Sequence, residues 1–214
     1  MRSVRWVIRH RAWTPYHWRR YVRYAALRWR HPHVITEGLV FLGKDVELYA
    51  RKGYGRLVLG ALSHIGDGCA LRAHEGTLRV GSKAVLAGRV TVNCYLDVAI
   101  GSKALIADDV YITDFDHRFA DLDLPIKDQG IVKAPVRIGA DSWVGTKATV
   151  LRGVDIGDGC VIAANSTVTK DVPAYSVAAG VPARVVKSRK PAEPAEELAD
   201  AEPPAQVNVA PELS

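Results

Sequence analysis

From Ile138 onward an aliphatic residue returns at every sixth position: Ile138, Val144, Val150, Ile156, Ile162 and Val168. The residue after each is mostly small, as at Gly139, Gly145, Gly157 and Ala163. Four places after each of the first five come Ser142, Ala148, Val154, Cys160 and Ser166, again small. The rhythm also runs upstream as Val80, Leu86, Val92 and Val98, shifts frame by two residues, and resumes as Ile100, Ile106 and Ile112. A fainter copy is Leu59, Ile65 and Leu71; "IGDGCALRA" from Ile65 and "IGDGCVIAA" from Ile156 are near duplicates. A period of six fits neither a helix nor a simple strand. It predicts a hexapeptide parallel β-helix, mainly β, in which each hexad forms a short strand and a corner and three hexads close a triangular coil. The aliphatic residue points inward, the small residue lies inward near the corner, and the glycine is expected to supply the corner's backbone conformation. Stacked coils bury one another's apolar layers. Cys69 and Cys160 fall at the small inward position and read as buried structural residues.

The beat stops in "YITDFDHRFADLDLPIKDQGIVKAP", Tyr111 to Pro135. A connection this long inside a compact repeat is usually functional. It carries His117 among Asp114, Asp116, Asp121 and Asp123.

Before the repeats, "TPYHWRRYVRYAALRWRHP" reads as a helix, with Thr14 as N-cap, Pro15 as first helical residue and His31-Pro32 as the stop. Trp18, Val22, Ala25 and Trp29 recur at helical spacing with Tyr21 beside them, while Arg19, Arg23 and Arg30 take another face. A basic amphipathic helix rich in aromatic residues can lie on an anionic membrane. It can equally be an accessory helix packed on the β-helix or across a subunit boundary. Residues 34–188 form the repeat domain with its loop at 113–135, residues 1–33 the arm, and residues 189–214 a tail. The tail, with five prolines and six acidic residues from Pro191 on, is expected to be disordered.

Charge and cysteine usage narrow the class further. The net charge of +6 comes mainly from the arm, where residues 1–30 hold nine arginines and no acidic residue. No nucleic-acid-binding motif accompanies that charge, so no nucleic-acid partner is expected. Three cysteines without metal-ligand spacing suggest reduced thiols and a cytoplasmic setting. No apolar run approaches the roughly 18 residues that span a bilayer, and the arginine-rich start lacks the apolar centre of a secretory signal. A cytoplasmic protein, peripheral at most to the inner membrane face, is the expectation.

From Leu59 to Lys187 the chain resembles the hexapeptide-repeat acyltransferases, most closely the maltose, galactoside and nodulation type of sugar and lipopolysaccharide O-acetyltransferase. The segments that carry the likeness are "VYITDFDHRF", "PVRIGADSWVGTKATVLRGVDIGDGCVIAANSTVTKDVP" and "AAGVPARVV". The resemblance implies a left-handed β-helix, a homotrimer with sites between subunits, and acetyl-CoA or another acyl-CoA as donor to a sugar, glycolipid or polysaccharide hydroxyl. No metal is required. His117 matches the catalytic histidine, a general base for direct transfer in a ternary complex. Asp114 or Asp116 would orient its imidazole, as in catalytic triads. Asn93 and Asp97 match acceptor-binding positions. Trp143, Thr146, Ala164, Thr169, Lys170 and Arg184 match donor-binding positions, with Lys170 and Arg184 facing CoA phosphates.

Two other readings compete. A γ-type carbonic anhydrase shares the β-helix but needs three histidines converging on zinc; His64, His74 and His117 do not suggest one site. A non-catalytic scaffold or membrane-associated binding protein would make the arm the working part. A nucleotidyltransferase lacks room for its nucleotide-binding domain.

Overall fold

The computed structural model describes residues 7–9 and 13–191. From Ile35 to Val168 the chain winds as a parallel β-helix of triangular section. The first face stacks Ile35–Thr36, Gly55–Leu59, Gly76–Val80, Asp97–Ile100, Val136–Ile138 and Asp155–Ile156. The second begins Phe41–Leu42, His64–Ile65, Val85–Leu86, Leu105–Ile106, Trp143–Val144 and Val161–Ile162, and ends in the antiparallel pair Ser176–Gly180 and Ala183–Ser188. The third holds Glu47–Ala50, Ala70–Ala73, Thr91–Cys94, Tyr111–Thr113, Thr149–Val150 and Thr167–Val168.

The register explains the period of six. Leu42, Ile65, Leu86, Ile106, Val144 and Ile162 stack through the second face; Leu48, Leu71, Val92, Ile112, Val150 and Val168 stack through the third; all are buried. Like side chains thus meet one coil apart, and each coil removes its neighbour's apolar layer from water. The frame shift falls at the first-face strand Asp97–Ile100. It turns both Val98 and Ile100 inward, paired with Leu78 and Val80 below and with Val136 and Ile138 above.

Cys69, Cys94 and Cys160 are all buried and free, as the spacing of Cys69 and Cys160 predicts. Burial raises the Cys69 and Cys160 thiols above their usual range. Burial, and then the Asp114 carboxylate, push Cys94 up to about 12. These thiols stay protonated and serve as packing.

The glycines after the inward aliphatic residues have a different cause from the one expected. The left-handed corner conformation is adopted not by them but by residues such as Lys83, Lys103, Asp141 and Lys147. What demands glycine is the next coil: a Cβ on Gly139 would sit 2.4 Å from the Asp158 nitrogen, and one on Gly145 2.6 Å from the Ala164 nitrogen.

The arm contains helix α1 (Pro15–Arg30), which docks where the second face begins. Leu27 is buried, and the Tyr24 hydroxyl donates to the Gly38 carbonyl at 2.9 Å. Arg20 donates to His64 Nδ1 at 3.1 Å, so that nitrogen is the unprotonated one. Phe41 packs on the same imidazole, 4.4 Å between centroids. The accessory-helix reading therefore holds for one face of α1, but that face is Tyr24 and Leu27, not the tryptophan stripe. The C-terminal disorder expectation lies outside the described residues beyond Pro191.

Burial first, then the positive charges of Arg20 and His17, depress the His64 pKa from 6.5 to about 4. A histidine lowered in the folded state binds its proton more readily when unfolded. Its contribution is complete above about pH 6.5 and is lost as pH falls towards 4. The melting temperature of the protein should drop across that window, and His64→Gln, which keeps an acceptor but does not titrate, should show a shallower drop. Parallel pH profiles for the two proteins would contradict this account.

Candidate active site

The interruption between Thr113 and Val136 is an ordered arm. Phe115–His117 pairs antiparallel with Ile131–Lys133, His117 opposite Ile131. Beyond the pair, Gln129 ties the tip together: its amide nitrogen donates to the Asp121 and Leu124 carbonyls at 2.7 Å, and its oxygen accepts the Asp121 N–H at 3.1 Å. A three-residue 3₁₀ turn, Ile126–Asp128, completes the tip. Phe119, Leu122, Leu124 and Ile126 point out of it, Leu122 at 95% exposure. The arm leaves the prism along the edge between the third and first faces.

His117 is exposed and lines a cleft of about 520 Å³ with Asp116, Phe119, Leu124, Val132 and Arg152. Below it runs a column of rings. Phe115 stands edge-on to His117 at 6.1 Å, Tyr95 packs on Phe115 at 4.4 Å, and His74 stacks on Tyr95 at 4.6 Å with 15° between planes. Lys133 sits 5.7 Å over the Tyr95 ring and pairs with Glu75, whose carboxyl that hydrogen bond lowers below its usual range.

The two carboxylates expected to orient His117 are committed elsewhere. Asp114 is fully buried and accepts three backbone N–H groups, from Tyr95 and Leu96 at 2.7 Å and from Asp97 at 2.8 Å. It clamps the corner one coil below, and so holds Tyr95 under the arm. Asp116 accepts from Arg152 Nε at 2.5 Å, tying the arm to the next coil. Among the described residues no carboxylate hydrogen-bonds to His117. Arg152 escaped the sequence reading because it sits at an ordinary corner, and nothing in the segment around it marks it as a partner of the arm.

Asn93 and Asp97 do not converge. Asn93 lies on the third face and donates to the Tyr111 hydroxyl at 3.2 Å. Asp97 lies on the first face, held between Arg79 at 3.1 Å and Arg137 at 2.6 Å. With both oxygens so paired, its carboxylate has a structural task. The donor-side residues divide between two edges, with Trp143, Thr146 and Ala164 on the second face and its edge with the third, and Thr169 and Lys170 on the edge between the third face and the first. Trp143 points outward from the second face, half exposed, in an apolar column with Val85 and Leu105 below it. Thr146 and Ala164 occupy the edge between the second and third faces, where the Thr146 carbonyl accepts the Asn165 N–H at 2.9 Å. Thr169, Lys170 and Arg184 are exposed at the last coils, Arg184 opposite Ala179 in the closing hairpin. Among the described residues no three His, Cys, Asp or Glu side chains assemble as metal ligands. His64 sits under α1, and His74 is separated from His117 by two rings.

A sequence-family model described as the hexapeptide repeat of succinyl-transferase matches residues 135–170. The coils that it spans are those with the cleanest beat. Over these residues the chain is built of hexapeptide repeats. The Mycobacterium tuberculosis protein named "Probable acetyltransferase Rv3034c" is 51% identical over 188 residues, 88% of this chain and 63% of that protein. A protein of Escherichia coli K12 named for lipopolysaccharide biosynthesis O-acetyl transfer, WbbJ, is 37% identical over 111 residues, 46% of this chain and 57% of that protein. The chain thus spans less than two thirds of either relative. Among solved structures, a galactoside acetyltransferase in complex with coenzyme A superposes with a TM-score of 0.52 at 26% identity, covering 78% of this chain and 70% of that one.

Removing the Asp114 clamp should strand three buried N–H groups. Asp114→Ala is expected to lower unfolding stability by about 3 kcal/mol or more, with Asp114→Asn, which keeps one carbonyl oxygen, losing less. Denaturant midpoints measure both; an Asp114→Ala protein as stable as the parent would refute the clamp.

Proposed function

We propose that this hexapeptide-repeat protein is an acyl-CoA-dependent O-acyltransferase that moves an acyl group, acetyl by preference, onto a hydroxyl of a sugar, glycolipid or polysaccharide. The observation that carries the reading is an exposed histidine on a rigid arm over an open cleft. It stands on a scaffold shared with a relative named an acetyltransferase and with a CoA-bound galactoside acetyltransferase.

The chemistry needs little else. A sugar hydroxyl is a weak nucleophile, and a base accepting its proton supplies about 10²–10⁴-fold. His117 takes that proton as the hydroxyl oxygen attacks the thioester carbonyl. The carbon–sulfur bond then breaks, and the proton passes to the departing CoA thiolate. Direct transfer in a ternary complex requires no acyl-enzyme, in keeping with three buried, protonated cysteines. Asp114 and Asp116 act on His117 through the arm that they anchor, not by touching it.

The donor lies along Trp143, Thr146 and Ala164, with Thr169, Lys170 and Arg184 at its phosphate end. Trp143, Thr146 and Ala164 follow the second face and its edge with the third, whereas His117 stands at the edge between the third and first faces, where Thr169 and Lys170 also lie. One chain therefore offers half of a site at each edge, and a homotrimer brings the edge of one subunit to the arm of the next. The apolar column at Val85, Leu105 and Trp143 and the apolar arm tip have the composition of surfaces covered in such an assembly. Asn93 is retained as the acceptor-side residue, and Asp97 serves the first face instead. The compartment in this reading is the cytoplasm, where acyl-CoA is available.

Acceptor-dependent CoA release from acetyl-CoA, measured over a panel of sugars and glycan extracts, tests this. His117→Ala is expected to lower the rate at least about 10²-fold while leaving the fold intact. Equal rates in both proteins would remove His117 from the chemistry; no CoA release and no CoA binding would favour a non-catalytic scaffold.

A further inference from the structure

Helix α1 has two faces, and the transfer reaction uses neither. At about 100° per residue, Trp18, Val22 and Trp29 fall about 180° around the helix from Arg20, Tyr24 and Leu27, which meet the β-helix. The outward side chains are 59%, 64% and 81% exposed. By the same spacing Arg19 and Arg30 flank the stripe on one side and Arg28 on the other, and all three are exposed. Residues 1–30 contain no acidic side chain to balance them.

We infer that α1 seats the protein on an anionic lipid bilayer, with Trp18, Val22 and Trp29 entering the boundary between headgroups and acyl chains and Arg19, Arg28 and Arg30 meeting lipid phosphates. The tryptophan ring is suited to that boundary, and arginine stems can lie along apolar surface while their guanidinium groups reach phosphate. The charge pattern selects the occupant. A second copy laid symmetrically on this face would oppose rows of arginines with no carboxylate between them. A bilayer rich in phosphate neutralises both rows at once. The opposite face of α1 is already fixed to the second face of the β-helix, so docking requires no refolding. An acyltransferase held this way would meet acceptors that are themselves displayed at the bilayer, although the docking does not depend on the transfer reaction.

The test is co-sedimentation of the full chain with vesicles of phosphatidylcholine alone and with vesicles containing phosphatidylglycerol, at low and high salt. The anionic vesicles are expected to bind at least about tenfold more tightly, with binding lost at high salt. Trp18→Ala combined with Trp29→Ala should weaken binding about tenfold or more, and Arg19→Glu combined with Arg30→Glu should weaken it similarly. Melting temperature and CoA release with a soluble acceptor should stay unchanged, because these side chains project away from the β-helix. The inference is overturned if anionic vesicles bind no better than neutral ones, or if the tryptophan pair can be removed without effect. It is also overturned if removing that pair changes the molar mass by light scattering, since another copy of the chain would then own the face.

Discussion

The inward strand positions of this prism are filled by aliphatic side chains that rest on their counterparts one coil away, and the coils lie so close that corners such as Gly139 have no space for a Cβ. Close stacking leaves no interior room for a ligand. Whatever the protein binds must therefore be met at the edges of the prism, by corners, by the arm at 113–135, or by a neighbouring surface. The same stacking makes those edges rigid. A side chain on one coil is placed relative to the next by a continuous ladder of parallel hydrogen bonds, and a site assembled along an edge inherits that definition.

The arm shows how rigidity reaches His117. Asp114 begins it by gripping the corner at Tyr95, Leu96 and Asp97; Asp116 fastens it to Arg152; and Phe115, Tyr95 and His74 fill the space beneath. These interactions tie four successive coils, at His74, Tyr95, Asp114 and Arg152, to one exposed imidazole. Carboxylates close in sequence to a histidine look like partners of that histidine. Here they are partners of the scaffold that carries it, and their effect on chemistry is one of position.

Much of this was legible in the sequence. The period of six identified the coil, the frame shift at Val98 and Ile100 fell on a first-face strand with two inward residues, and the break after Tyr111 located the arm. Thr14, Pro15 and His31 bounded α1 correctly. Other features depended on distances that no local pattern encodes. Asp114 answers a corner nearly a whole coil earlier in the chain. Asn93 and Asp97, four residues apart, lie on different faces because a corner separates them. The first coil, from Ile35 to Ala50, pairs in register with the second although its hexads are too eroded to read. Periodicity also found the tryptophan stripe of α1, but it could not tell which face packs, because Tyr24 and Leu27 form the second apolar row.

The proposed reaction requires His117 of one chain to act beside donor-side residues of the next. Mixing two inactive proteins tests it directly. His117→Ala and a donor-side variant such as Trp143→Ala combined with Arg184→Ala would be unfolded together, refolded at equal ratio, and assayed for acceptor-dependent CoA release. If each site takes its histidine from one subunit and its donor contacts from the next, random assembly restores about one quarter of the parental activity. Activity no higher than the mean of the two separate variants would place the whole site within a single chain and contradict the account.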